Sequence, residues 1–222
     1  MFALVKFLFK LALYLVVLSL LLVIAFRFVP PPVTATMAMD DNGIVKDWEP
    51  LANIDRNMVA AVIAAEDGKF CSHDGFDREA IQNAIRRNRQ GGRIRGGSTI
   101  SQQTAKNVFL WQGGGFFRKG LEAYFTFLIE NIWDKRRIME VYLNVAETGI
   151  GTYGVEAGSW RYFNHSAAQL SDNEAARMAA ALPLPKKRSV TNPGGFTARY
   201  GSTIAARMAA VRRDGLDACV YE

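Results

Sequence analysis

Two glutamates and the polar run between them are the residues that could do chemistry. Glu66 closes an apolar stretch and opens the segment Glu66-Asp67-Gly68-Lys69-Phe70-Cys71-Ser72-His73-Asp74-Gly75-Phe76-Asp77. A carboxylate at the C-terminal end of a helix faces the negative end of the dipole, which raises its pKa and suits a general base. A solvated, salt-bridged helix end is the plainer alternative. Glu122 follows Leu121 and lies four residues after Arg118, the spacing of a local ion pair on a helix. Between the glutamates runs Gly96-Gly97-Ser98-Thr99-Ile100-Ser101-Gln102-Gln103-Thr104-Ala105-Lys106-Asn107. Its two glycines allow close backbone approach to a ligand. Thr99 and Gln102 have capping-box spacing, so a helix is expected to start near Thr99. Its N–H groups and positive dipole end would suit an anion. On local pattern alone, an ordinary Gly-rich turn into a capped helix fits as well.

Other chemistries are excluded by what the sequence lacks. His73 and His165 are the only histidines, and no HExxH or Cys/His cluster is present, so a zinc site is rejected. There is no GxSxG and no GxxxxGK[ST]. Arg86-Arg87-Asn88-Arg89 is basic but carries no nucleic-acid recognition module, and reads as a solvated face or a lipid-headgroup contact.

The elements that must position these residues read as helices. Asn53 can cap a helix with Ile54, Met58, Val62 and Ala65 on one face, running into Glu66. Residues 76–90 suggest a polar-faced helix, and Gln90 to Gly97 a flexible basic loop. A second mobile stretch, Gly113-Gly114-Gly115, precedes the stripe Leu121, Phe125, Leu128, Ile129, Ile132. Asp134 can cap the next helix, with Ile138, Val141, Tyr142 and Val145 inward. Ser171 and Glu174 form another capping box on a helix that stops before Pro183. Thr197 to Arg213 gives the last helix, with Tyr200, Ile204, Met208 and Val211 inward and Gly215 as its stop. No convincing run of alternating strands exists, so the fold class is mainly α.

The 222 residues allow one sizeable domain plus an appendage. There are 27 Lys and Arg against 21 Asp and Glu, a net charge of +6 that suits an anionic partner. Leu11 to Phe26 carries no charge, and with its apolar flanks approaches the ~20 residues that span a bilayer. Lys6 and Lys10 precede it and Arg27 alone follows closely, so the N-terminus is expected in the cytoplasm. The expected organisation is a cytoplasmic start and membrane anchor over 1–29, a linker over 30–50 opened by Pro30-Pro31-Pro32, and a catalytic domain over 51–222. Cys71 and Cys219 are the only cysteines; one disulfide is possible in an oxidising compartment, although nothing in their spacing decides it.

Taken together, five ordered blocks resemble the peptidoglycan glycosyltransferases of glycosyltransferase family 51, in their monofunctional form without a transpeptidase domain. The blocks are Glu66–Asp77, Gly96–Asn107, Arg118–Glu122, Arg137–Phe163 and Ala181–Pro193. The resemblance implies a lysozyme-like helical domain with a smaller membrane-proximal lobe, preceded by one transmembrane helix. It implies lipid II as donor and acceptor, β-1,4-linked glycan and undecaprenyl pyrophosphate as products, and a bacterial inner-membrane location with the catalytic domain on the periplasmic side. By motif position Glu66 is the base that deprotonates the acceptor sugar hydroxyl, and Glu122 is the second catalytic-site glutamate. Ser98, Gln102, Gln103, Lys106, Arg118 and Lys119 match positions lining the donor and its pyrophosphate, and Asn192 matches the terminal Asn-Pro block. A pyrophosphate leaves as a stable anion and needs cations more than a proton donor. Mg or Mn is a candidate metal and no organic cofactor is expected. Expected partners are lipid II, the growing strand, the membrane through residues 108–119, and other cell-wall synthesis and division proteins, with no nucleic acid. Ser101 and Thr104 depart from the commoner family residues, and Val190-Thr191-Asn192-Pro193 is looser than the usual end block. The rival readings are a peptidoglycan-cleaving lysozyme-like enzyme and a non-catalytic scaffold for cell-wall assembly.

Overall fold

The computed structural model describes residues 1–89 and 97–221. The basic loop expected at Gln90–Gly97 lies outside this range except for Gly97. The chain begins with a 27-residue helix, α1 (Phe2–Phe28), long and apolar enough to cross a membrane. A short α2 (Ala35–Ala38) and strand β1 (Val45–Lys46) lead to α3 (Arg56–Glu66) and α4 (Arg78–Arg89). Then come α5 (Ile100–Phe109), α6 (Gly115–Ile132) and α7 (Lys135–Val145). Strands β2 (Glu147–Gly149) and β3 (Thr152–Tyr153) precede α8 (Val155–Phe163), α9 (Asp172–Ala181), α10 (Gly195–Arg213) and α11 (Ala218–Tyr221). The domain is mainly helical, as expected. The three strands form one small sheet in the order β1-β3-β2, with β1 parallel and β2 antiparallel to β3. Strands of two or three residues are too short for a period-2 pattern to reveal.

α3 is the central helix. Met58 through Ile63 are all fully buried, so it is covered on every side rather than along one stripe. It packs against α9 and α10. The alanines of α9, Ala175, Ala176, Ala179, Ala180 and Ala181, keep that side thin and let these neighbours approach. Its cap is Asp55, whose carboxylate accepts the Asn57 N–H at 2.8 Å, and not Asn53. Residues Leu51–Asn53 form a 3-10 turn that delays the helix start, and the Asn53 side chain bonds Glu49 instead.

The membrane helix is joined firmly to the domain. The Ser19 and Tyr124 hydroxyls meet at 2.8 Å, and Trp133 Nε1 donates to the Val23 carbonyl at 2.8 Å. Arg137 donates to the carbonyls of Phe26 at 2.8 Å and Val29 at 3.0 Å, and Lys46 to those of Pro31 and Pro32. The proline segment is therefore held against the domain at both ends. Arg27 reaches the Ile132 carbonyl, so α1 and α6 run side by side in the same direction. Gly113, Gly114 and Gly115 all have positive φ at the turn into α6, a path that only glycine follows at low cost.

Cys71 and Cys219 form a disulfide across 148 residues, with Cα atoms 5.5 Å apart. The sequence reading left their pairing open, because separation along the chain says nothing about proximity in the fold. The bridge fastens α11 to the segment after α3. Beside it, Arg56 makes two 2.8 Å hydrogen bonds to the fully buried carboxylate of Asp217. Closing so long a loop restricts the unfolded chain. Cys219→Ser should therefore lower unfolding free energy by about 2–5 kcal/mol. Denaturant titration in detergent checks this, and a variant as stable as the wild type contradicts it.

Candidate active site

α3 ends at Glu66 and Asp67, and the two carboxylates have different surroundings. Asp67 turns inward and is 6% exposed. It accepts the Ile100 N–H at 3.0 Å and His73 Nε2–H at 2.9 and 3.1 Å. His73 Nδ1 accepts the Gly75 N–H at 3.1 Å, which fixes the proton on Nε2. Glu66 turns to the opposite side, where its Oε2 accepts the Gln103 amide at 2.8 Å. Burial raises the Glu66 pKa. The Gln103 hydrogen bond and the charges of Arg188 and Lys106 oppose the rise, while Asp67 adds to it.

The start of α5 differs from the sequence expectation. The helix does begin after Thr99 with a complete capping box. Of the N–H groups expected to face an anion, those of Thr99, Ile100, Gln102 and Gln103 are engaged within the protein. Thr99 N–H donates to Gln102 Oε1 and Gln102 N–H to Thr99 Oγ1, both at 3.1 Å. Ile100 N–H goes to Asp67, and Gln103 N–H to the Thr99 carbonyl. The helix terminus thus already holds its carboxylate, that of Asp67. Gln102 is a buried capping residue facing away from the cleft, a correction to its expected place against substrate. Gly97 also has a packing reason. A Cβ there would stand 3.3 Å from the Ala80 carbonyl of α4, so its smallness serves α4 rather than a ligand. Gly96 lies outside the described residues.

The cations come instead from side chains. Glu122 is 2% exposed and takes Arg118 Nη1 at 2.6 Å on one oxygen and Lys119 Nζ on the other. Lys119 also donates to Ser98 Oγ at 3.0 Å, which ties α6 to the start of α5. Lys106 points into the same space. Its burial lowers its pKa, opposed first by the charge of Glu122.

Seven of the nine residues expected in the site, Glu66, Ser98, Gln103, Lys106, Arg118, Lys119 and Glu122, line one cleft of about 840 Å³. Past Gln103 and Lys106 it meets a second cavity of about 380 Å³ beneath Leu184 and Lys186. Asn192 is exposed on the outer loop, its N–H bonded to Ser189 Oγ, and does not reach the cleft. Sequence reasoning missed one wall of the cleft, made by Arg188 with Phe196, Tyr200, Thr203 and Arg207. The signal was present, because the last four recur at i, i+4, i+7 and i+11 on α10. The expected membrane stretch divides in two. Phe109 stacks on Phe125 at 4.5 Å, whereas Phe116 and Phe117 are 97% and 73% exposed.

Comparison with known proteins agrees with this arrangement. A family model described as Transglycosylase matches residues 34–209. The chain is 53% identical over 215 residues to a biosynthetic peptidoglycan transglycosylase of Caulobacter vibrioides, covering 95% of this chain and 94% of that one. It is 49% identical over 212 residues to the protein of that name from Rhodospirillum centenum, covering 92% of each. A Pseudomonas putida protein of the same name is 49% identical over 199 residues, 86% of this chain and 84% of its own.

The raised pKa of Glu66 has a consequence for stability. The folded state holds this proton more tightly than the unfolded chain. Stability is therefore lost as pH rises from the ordinary glutamate value of 4.5 through the raised one, and stays lost above it. Glu66→Gln removes that dependence. Thermal unfolding at pH 7 should show the variant at least as stable as the wild type; a clearly lower midpoint contradicts the burial argument.

Proposed function

The chain belongs to the transglycosylase family and is a peptidoglycan transglycosylase, and from that premise we propose that it polymerises lipid II into β-1,4-linked glycan with release of undecaprenyl pyrophosphate. The observation that carries the reading is the unequal state of the two glutamates. Glu66 is a desolvated carboxylate with one neutral partner, suited to accept a proton. Glu122 is held on both oxygens by cations, suited to fix those cations in place.

In the proposed step the acceptor 4-hydroxyl oxygen attacks the donor anomeric carbon while its proton passes to a Glu66 oxygen. The bond from the anomeric carbon to the pyrophosphate oxygen breaks, and its electron pair leaves with the phosphate. An α-linked donor becomes a β-linked product, the outcome of one direct displacement. Lys106, Arg118 and Lys119 offset the charge on the leaving pyrophosphate, with Ser98 beside them. Glycan cleavage needs an acid and a second free carboxylate or an activated water. With Glu122 committed to Arg118 and Lys119, the cleft favours transfer over the lysozyme-like alternative, and a half-buried base in a cationic cleft argues against a scaffold. The described residues contain no group of three or more His, Cys, Asp or Glu that could hold a metal ion by themselves, so a Mg or Mn ion at this site would be held mainly by the pyrophosphate.

The membrane setting supports the same substrate. Since α6 runs parallel to α1, its start points back toward the bilayer, carrying the exposed Phe116 and Phe117. A lipid-linked sugar stays in the membrane at ~0.8 kcal/mol per buried CH₂, so a cleft opening beside α1 meets it there. The lysines before α1 favour an N-terminus in the cytoplasm. The disulfide in the catalytic domain suits an oxidising compartment, which favours the periplasmic side.

Glu66→Gln should reduce polymer formation from labelled lipid II by about 10²-fold or more; near-normal synthesis would remove Glu66 from the role of base. Lys106→Ala should weaken binding of a pyrophosphate-bearing donor about tenfold. Unchanged affinity, read by equilibrium titration, contradicts the cationic cradle.

A further inference from the structure

The α10 wall carries groups that the transfer step does not use. Phe196, Tyr200, Thr203 and Arg207 face the cleft, while Gly201, Ile204, Met208 and Val211 of the same helix are buried. Tyr200 donates its hydroxyl to the Ala65 carbonyl at 2.7 Å, so the stripe begins beside the residue preceding Glu66. Arg207 is two turns further on, about 10 Å at helical rise. The cations assigned to the pyrophosphate stand on α5 and α6, whereas Arg207 stands on the α10 wall of the same cleft.

Its charge is also unanswered. Arg118 and Lys119 hold Glu122, and Lys106 lies in the field of Glu122 and Glu66. Arg188 donates to the Ala180 carbonyl and lies over the rings of Phe196 and Tyr200. At the end of α10, Arg212 pairs with Asp172 and Arg213 with Asp214. Arg207 is exposed and has no acidic partner among the described residues. A further cation in the substrate cleft, on a different helix from the cluster around Glu122, calls for a second anionic group on the substrate.

Resting on the lipid II reading, we propose that the α10 stripe is a subsite for the peptide carried by the disaccharide, with Arg207 pairing a peptide carboxylate. Thr203 Oγ1, which donates to the Arg199 carbonyl at 3.0 Å, can still accept a peptide N–H one turn away, and the half-exposed Phe196 ring stands nearer the sugar. The carboxylate can belong to the donor strand or to the acceptor, since both carry the same peptide.

The test uses the full-length protein in liposomes with two forms of lipid II, one with free peptide carboxylates and one with those groups as primary amides. On the carboxylate form, Arg207→Gln should raise KM about fivefold, as expected for a partly exposed ion pair, with kcat little changed. Arg207→Glu should raise it further, and Arg207→Lys should restore most of the affinity. On the amide form, wild type and Arg207→Gln should have the same KM. Pairing an amidated donor strand with a carboxylate acceptor, and the reverse, assigns the peptide: the Arg207→Gln effect disappears in one pairing. An Arg207→Gln KM equal to wild type on the carboxylate form, or an equal shift on both forms, overturns the subsite. Absence of polymer from the wild type on both forms overturns the reaction on which the subsite rests.

Discussion

The buried carboxylate of Asp67 joins the end of α3 to the start of α5, and the placement of the rest of the site follows from that joint. Its bond to the Ile100 N–H satisfies a group at the α5 terminus, and its bonds to His73 hold the loop that follows. Leaving a buried N–H unmet costs about 1–3 kcal/mol, so the two helix ends are strongly coupled. Once α5 is set against α3 this way, Gln103 on its next turn faces Glu66, and Lys106 follows one turn later on the same side. The same joint uses up the positive end of α5. Anion binding then depends on side chains, which explains why three cations gather around Glu122.

The arrangement separates two jobs that a pair of glutamates could have shared. Glu66 has lost water and gained only an amide, so its carboxylate is the more basic. Glu122 is buried more deeply but lies between Arg118 and Lys119. Removing either cation would leave a buried charge poorly compensated. α6 thereby links three features: the cation cluster at its start, the exposed aromatics before it, and the contact with α1 along its length. The membrane anchor is in this sense part of the catalytic body, pinned by Tyr124, Trp133 and Arg137.

Much of this was legible in the sequence because it is local. Helix starts at Thr99, Asp134 and Ser171 were set by side chains within three residues of the backbone they cap. The Arg118–Glu122 pair follows from helical spacing. What was missed depends on distant parts of the chain. The carboxylate that occupies the α5 terminus comes from 33 residues earlier. Cys219 reaches Cys71 from the other end of the domain. Gly97 answers to Ala80, and Gln102 was read as a ligand contact although its capping partner was visible. The α10 wall was hidden by reading Tyr200 with the inward face, when it marks the border between the buried stripe and the cleft stripe.

The central claim is that one desolvated glutamate, tempered by Gln103, is the base of the transfer. The most direct test is the pH dependence of kcat/KM on lipid II for the wild type and for Gln103→Leu. The account predicts an acid limb above the ordinary glutamate value of 4.5, shifting to still higher pH in Gln103→Leu because the hydrogen bond that lowers the Glu66 pKa is gone. An acid limb at the ordinary glutamate value, or one that Gln103→Leu leaves in place, would contradict it.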